Sequence, residues 1–155
     1  MAKAYLVIRI KGQADVPYWA NTTLNLLKLE KKYRAIILPV KENTEGMLRK
    51  VPHFVSWQEI DLPTTKELFD KKGRRAGYKK ITSEDISKAG FKTIDELAIS
   101  LSEGKTSMTK LKPLKPWVAL SPPKQGFKRS TKRLYGQKGI LGHNKELTTL
   151  VKRMM

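Results

Sequence analysis

AYLVIRI, residues 4–10, places Leu6, Ile8 and Ile10 on one side of an extended chain and Tyr5, Val7 and Arg9 on the other. A period of two is the signature of a β-strand, and Gly12 lets the strand stop. RAIILPV, residues 34–40, reads as a second strand, apolar enough to be largely covered, and FVSWQEI, residues 54–60, alternates as a third. Between the first two, Asp15 or a neighbour can start a helix with Pro17 in its first turn. Ala20, Leu24 and Leu27 share one face of that helix, and Lys31 and Lys32 suit its C-terminal end. Between the second and third, Asn43 or Thr44 offers a cap, Leu48 and Val51 an apolar pair, and Pro52 an exit. Strand, helix, strand, helix, strand predicts an α+β core over residues 1–60, a small sheet with both helices on one face.

Residues 61–155 read as an extension packing on that core, at first through short helices. Thr64 and Glu67 form a capping-box pair for a helix through Lys72, with Gly73 in the left-handed conformation at its end. A second helix fits Ser83 to Ala89, closed by Gly90, and Thr93 with Glu96 opens a third that runs to Glu103. GRRAGYKK, residues 73–80, is a loop too polar to bury. Pro113, Pro116, Pro122 and Pro123 then exclude a long helix and leave room for an edge strand at PWVALS. In the closing ELTTLVKRM, Leu147, Leu150, Val151 and Met154 share one helical face, so the tail docks back.

Charge points to the partner. The formal net charge is +18, and +12 of it sits on residues 104–155, where 13 basic side chains face a single acid. From Gly104 through Lys145 there is no Asp or Glu. Exposed helices usually carry compensating acids three or four residues from their cations. Here the counterions must come from elsewhere in the chain or from a polyanion, and the field favours nucleic acid. PPKQGFKRSTKRLYGQKGILGHNK, residues 122–145, concentrates the effect. Its glycines permit close backbone approach, its Lys and Arg neutralise phosphates, and Phe127 and Tyr135 offer rings that either stack on a base or anchor the loop.

Catalysis is not indicated. Without cysteine there is no disulfide, thiol nucleophile or thiolate metal site, a usage that suits an intracellular compartment. His53 and His143 are the only histidines and have no third nitrogen or sulfur ligand, so no metal is expected. Gly104-Lys105-Thr106 imitates a phosphate-binding loop, but Ile99 stands where that loop needs glycine. Glu84-Asp85 and Asp95-Glu96 sit at helix starts, where the helix dipole accounts for them. No 18-residue apolar run and no cleavable signal occur, so a soluble cytoplasmic protein is expected, with no membrane partner, cofactor or small-molecule substrate.

Two separated stretches carry a resemblance. YLVIRIKG, NTTLNLLKLEKKYRAIILPV and EGMLRKVPHFVSWQEI, with their Gly46-Met47-Leu48 turn into a basic helix, resemble the large-subunit ribosomal protein L-thirty family, whose eukaryotic members are called L-seven. LKPWVALSPPKQGFKRSTKRLYGQKGILGHN resembles the C-terminal extension of its archaeal and eukaryotic branch. No long lysine-rich N-terminal arm precedes the first strand, which makes the likeness one to the archaeal form. The chain departs from that pattern at Gln58, where relatives often have glycine, and at Val118-Ala119-Leu120, where they often have an Arg before the Pro-Pro pair.

The resemblance implies a three-stranded antiparallel sheet with two helices on one face, a relative of the ferredoxin-like fold, plus the extension. It implies a structural constituent of the large ribosomal subunit that binds the major large-subunit RNA near 5S RNA, among neighbouring ribosomal proteins, with no enzymatic activity. In this reading the basic extension becomes ordered when ribosomal RNA folds around it. An architectural DNA- or RNA-binding protein outside the ribosome is the alternative that the same charge would serve. The candidate RNA-binding residues are Arg9 and Lys11 at a strand end and Arg49, Lys50 and His53 after the Gly-Met-Leu turn. Arg74, Arg75, Lys79 and Lys80 follow in the basic loop, then Lys124, Lys128, Arg129, Lys132, Arg133 and Lys138.

Overall fold

A computed structural model describes residues 4–155 of the chain. Strand β1 (Ala4–Arg9) is central: β2 (Arg34–Pro39) pairs with one edge and β3 (Val55–Glu59) with the other, both antiparallel. The three-stranded antiparallel sheet is thus present, in the order β2-β1-β3. Helices α1 (Tyr18–Leu26) and α2 (Glu42–Lys50) connect its strands and touch one another.

Both helices depart from their expected ends. α1 stops before Lys31 and Lys32, because Leu27 and Leu29 are both buried and the chain reverses between them with Lys28 at φ 61°. α2 starts with Lys41, not Asn43 or Thr44, at its cap. Glu42 and Glu45 lie in its first turn and Arg49 and Lys50 in its last, the arrangement the helix dipole favours. Gly46-Met47-Leu48 therefore lies inside the helix and makes no turn.

β1 does not show the one-sided burial of a sheet with a wet face, for Leu6, Val7, Ile8 and Arg9 are all fully buried. Neighbouring residues on a strand point to opposite faces. The Tyr5 hydroxyl donates to Glu45 of α2 at 3.2 Å, which fixes the face covered by the two core helices. Gln58 lies opposite Leu6, on the other face, and its side chain accepts from the Thr148 backbone N–H and donates to the Lys145 carbonyl. Thr148 belongs to helix α6 (Leu147–Met154), so the C-terminal part of the chain supplies the second layer. Leu147, Leu150, Val151 and Met154 are buried, as the helical pattern of the tail predicted.

The sheet also continues past residue 60. Strand β6 (Val118–Ala119) pairs antiparallel with β2, and β8 (Gly139–His143) runs parallel beside β3. β7 (Ser130–Leu134) lies parallel to β8 and completes a sheet of order β6-β2-β1-β3-β8-β7. The basic stretch is built into the sheet: Ile140 and Leu141 are buried, and two of its segments are strands.

Parallel neighbours normally need a crossover of a dozen residues or more, yet β7 and β8 are joined by one 3-10 turn, Tyr135–Gln137, and Lys138 in the left-handed region at φ 63°. Gly139 makes this possible, since a Cβ there would run into the Arg133 backbone carbonyl.

Helix α3 (Leu62–Lys72) is capped by Asp61, whose carboxylate accepts from the Thr64 N–H, so the Thr64–Glu67 box is not its start. Gly73 ends it with an extended backbone, φ −61° and ψ 136°, not a left-handed one. Space selects this glycine, because a Cβ would lie 2.6 Å from the Phe69 carbonyl oxygen and 2.7 Å from Ile81 Cδ1. The polar loop is a short hairpin, β4 (Arg74–Arg75) and β5 (Lys79–Lys80). Helices α4 (Ser83–Lys88) and α5 (Ile94–Ser102) follow; Thr93 caps α5 as predicted, and α5 packs on α3 and β2.

Arg9 is the largest fully buried side chain. Its Nε donates to the Lys11 carbonyl at 2.9 Å, one terminal nitrogen to the Leu29 carbonyl at 2.7 Å, and the other to the Gly12 carbonyl at 3.1 Å. Burial lowers its pKa from the ordinary arginine value. The expectation that Arg9 faces RNA is corrected here: its donors hold the exits of β1 and α1 together and are not open to phosphate.

Removing that guanidinium leaves three carbonyls without their donor, of which the buried Leu29 carbonyl alone costs about 1–3 kcal/mol when unsatisfied. Arg9→Ala is expected to lose about 3–5 kcal/mol in urea unfolding, and Arg9→Lys to recover only part of it. Gly139→Ala is expected to lower the melting temperature by several degrees in calorimetry, while Gly136→Ala, where a Cβ meets open space, leaves it nearly unchanged.

Candidate nucleic-acid interface

The basic extension reaches back to the end of β1. Phe127 is half-buried and packs against the core, its ring centroid 6.3 Å from that of Tyr33, and Lys32 Nζ lies 4.9 Å from the Tyr33 centroid. Of the two roles open to Phe127, this contact fulfils the anchoring one. The anchor forms a cleft lined by Lys11, Gly12, Lys32, Tyr33, Phe127 and Lys132, with no carboxylate in its wall. Lys11 and Lys132, far apart in sequence, are brought together there. Ile10 and Lys11 both donate their N–H to the Phe54 carbonyl, and Lys11 Nζ lies 5.8 Å from the Phe54 ring, so exposed His53 stands next to the same region.

Helix α6 shapes the rest of the segment. Arg153 donates to the carbonyls of Lys124 and Gly126, and the Lys124 N–H donates to the Arg153 carbonyl, which ties down the loop before β7. Glu146, the one acid of residues 104–155, is taken by Arg129 at 3.3 Å, and the Arg129 guanidinium also lies 4.8 Å from the Tyr135 ring. Among the described residues no carboxylate is within ion-pair distance of Lys124, Lys128, Lys132, Arg133 or Lys138, and all five are exposed. These cations project outward from a segment held in place by other groups.

The remaining candidates divide in the same way. On α2, Arg49 pairs with Glu45 at 3.7 Å while Lys50 is exposed without an ion pair among the described residues. In the hairpin, exposed Lys79 and Lys80 stand on β5 while Arg75 turns inward to Asp85 at 3.4 Å. Arg74 donates to the Gly73 carbonyl at 2.8 Å, with its guanidinium 5.7 Å from the Tyr78 ring. Asp85 is buried and does more than answer a helix dipole: it accepts from the Thr82 N–H and hydroxyl, closes a capping box, and holds Arg75. The Thr82 backbone N–H, then its hydroxyl and Arg75, hold the Asp85 carboxyl below its ordinary pKa of 3.8 against the effect of burial.

Sequence reasoning did not select Lys32, Lys112, Lys115 or Trp117. Lys32 looks like a helix terminus in sequence, and the other three lie in the acid-free region whose charge alone was read. Among the described residues no group of three His, Asp or Glu could hold a metal ion, and no helix is long and apolar enough to cross a membrane.

The model of the family described as ribosomal protein L30p/L7e matches residues 5–55, from β1 to the start of β3. The large ribosomal subunit protein uL30 of Nitrosopumilus maritimus is 64% identical to this chain over 155 residues, covering all of both chains. That of Cenarchaeum symbiosum is 59% identical over the same full length, and that of Desulfurococcus amylolyticus 42% identical with both chains fully covered. The chain belongs to the ribosomal protein L30p/L7e family. Its L30p/L7e core is the β1-to-β3 unit, and the full-length identity to archaeal members extends the likeness through the basic segment and α6. Membership in a family of ribosomal proteins also makes the non-enzymatic reading the one that stands.

Because the native pKa of Asp85 is lowered, its contribution to stability is complete above the unfolded value and is lost as pH falls through the native one. Acid titration of the wild type is expected to release the hairpin below pH 3.8. Asp85→Asn is expected to remove that component, leaving Arg75 without its partner and raising amide exchange in residues 74–80 at neutral pH.

Proposed function

We propose that this protein is a structural constituent of the cytoplasmic large ribosomal subunit, binding large-subunit ribosomal RNA close to 5S RNA and stabilising its folded form among neighbouring ribosomal proteins. The observation that carries the RNA contact is the acid-free cleft of Lys11, Lys32 and Lys132, whose walls come from the segment after β1, the segment before β2 and the basic extension. The outward cations Lys124, Lys128, Lys132, Arg133 and Lys138 continue the positive surface from it, and Lys50, His53, Lys79 and Lys80 add exposed positions elsewhere. Arg49, Arg74, Arg75 and Arg129 reach phosphate only by sharing or exchanging the partners they already have. Full-length relatives named as large ribosomal subunit proteins support the assembly assigned here.

With about eight cations on phosphates, log affinity falls against log salt with a slope of about −6 to −7. Reversing Lys128, Lys132, Arg133 and Lys138 to Glu is expected to abolish comigration with the large subunit in salt-washed sucrose gradients while the circular dichroism spectrum stays native. Retained comigration would overturn the role of the cluster. Loss of 5S RNA from large subunits made in cells whose sole copy of the protein is the variant, at unchanged large-subunit RNA, is the outcome expected if the surface lies beside 5S RNA.

A further inference from the structure

A second cleft lies between the turn of the β4–β5 hairpin and the segment that leads into β6. Pro113, Pro116 and Trp117 contribute apolar surface to its wall, and Lys28, Lys112 and Lys115 contribute three cations without a carboxylate. The Trp117 ring is part of a stack. The Arg34 guanidinium lies 3.8 Å from its centroid and Lys115 Nζ 5.0 Å, while the Tyr78 ring lies 6.4 Å away at an interplanar angle of 33°. Arg74 stands at the Tyr78 ring in turn.

Tyr78 is 52% exposed, and it occupies the hairpin turn with φ 59°. A bulky side chain in the left-handed region costs free energy, and such positions persist where the surrounding structure imposes them. The fold thus holds an aromatic ring in solvent at a position that disfavours one, beside a tryptophan whose cleft carries lysines without a carboxylate.

We propose that this cleft takes one unpaired nucleotide of an RNA strand, its base against the Trp117 and proline surface beside Tyr78 and its flanking phosphates on Lys28, Lys112 and Lys115. The proposal rests on the RNA-binding reading above and deepens it from phosphate contact to base contact. A duplex offers phosphates but hides its base faces, so it satisfies the lysines and leaves the ring surface uncovered. An acidic peptide does the same. An extruded or single-stranded nucleotide satisfies both, and stacking of this kind tolerates any base.

The test uses the full-length protein labelled with 5-fluorotryptophan, whose three tryptophans, Trp19, Trp57 and Trp117, give separate fluorine resonances assigned by single Trp→Phe variants. The probes are a short single-stranded RNA, a blunt-ended two-strand RNA duplex with the same number of phosphates, and a nucleoside monophosphate. The single strand is expected to shift Trp117 and leave Trp19 in place, the duplex to bind without moving Trp117, and the monophosphate to do nothing at the same concentration. Lys112→Gln with Lys115→Gln is expected to weaken the single strand about tenfold, and to weaken the duplex less.

Binding of both RNAs with Trp117 unmoved, or moved equally by both, would overturn the nucleotide cleft and leave RNA binding intact. A shift with the monophosphate equal to that with the single strand would overturn the RNA strand as its source. If neither RNA binds, the RNA-binding reading falls with the proposal.

Discussion

Everything in this molecule depends on covering both faces of β1. A central strand with Leu6, Val7 and Ile8 fully buried cannot be completed by two helices on one side. Each such side chain contributes about 1.5–3 kcal/mol when withdrawn from water, so leaving Leu6 and Ile8 exposed would forfeit a large share of a small domain's stability. The second layer comes from residues beyond 60, with α6 fixed to β3 through Gln58 and α5 packed on β2. Core and extension are consequently two halves of one packing problem, and the sheet crosses between them.

That dependence also explains how so much positive charge is held in place. A run of cations repels itself and favours an open chain. Here the run is fixed by groups that carry little of its charge: Phe127 on Tyr33, Arg153 on two loop carbonyls, Arg129 on Glu146, and Ile140 and Leu141 in the core. Some of the scaffold's acids orient arginines, as Asp85 does for Arg75 and Glu146 for Arg129, while among the described residues Lys124, Lys128, Lys132 and Lys138 stand without an ion pair. The result is a positive surface whose cations are positioned by the packing of the fold.

Much of this was legible in residue order. The period-two runs gave the three core strands, the spacing of Leu147, Leu150, Val151 and Met154 gave the terminal helix, and the absence of acids from Gly104 to Lys145 marked the basic surface. Helix ends were less legible, because neighbouring residues compete locally for each cap and burial of residues beyond a helix can end it early. Asp61 displaced Thr64 at α3, and burial of Leu29 ended α1 early. The role of Arg9 was misread because a charged residue at a strand end looks exposed in sequence. Only the fold shows that three backbone carbonyls converge on it.

Local pattern and composition by themselves determined the strand-and-helix order of the first 60 residues, the amphipathic tail and the sign of the partner's charge. These follow from side-chain periodicity and from counting, which need no knowledge of distant neighbours. Tertiary structure alone decided which cations point outward, which are consumed as internal donors, and which aromatic rings they meet. Those outcomes depend on residues far apart in the chain, such as Lys11 with Lys132, Arg34 with Trp117 and Asp85 with Arg75, and a guanidinium is a phosphate ligand or a structural clamp according to what the fold sets beside it.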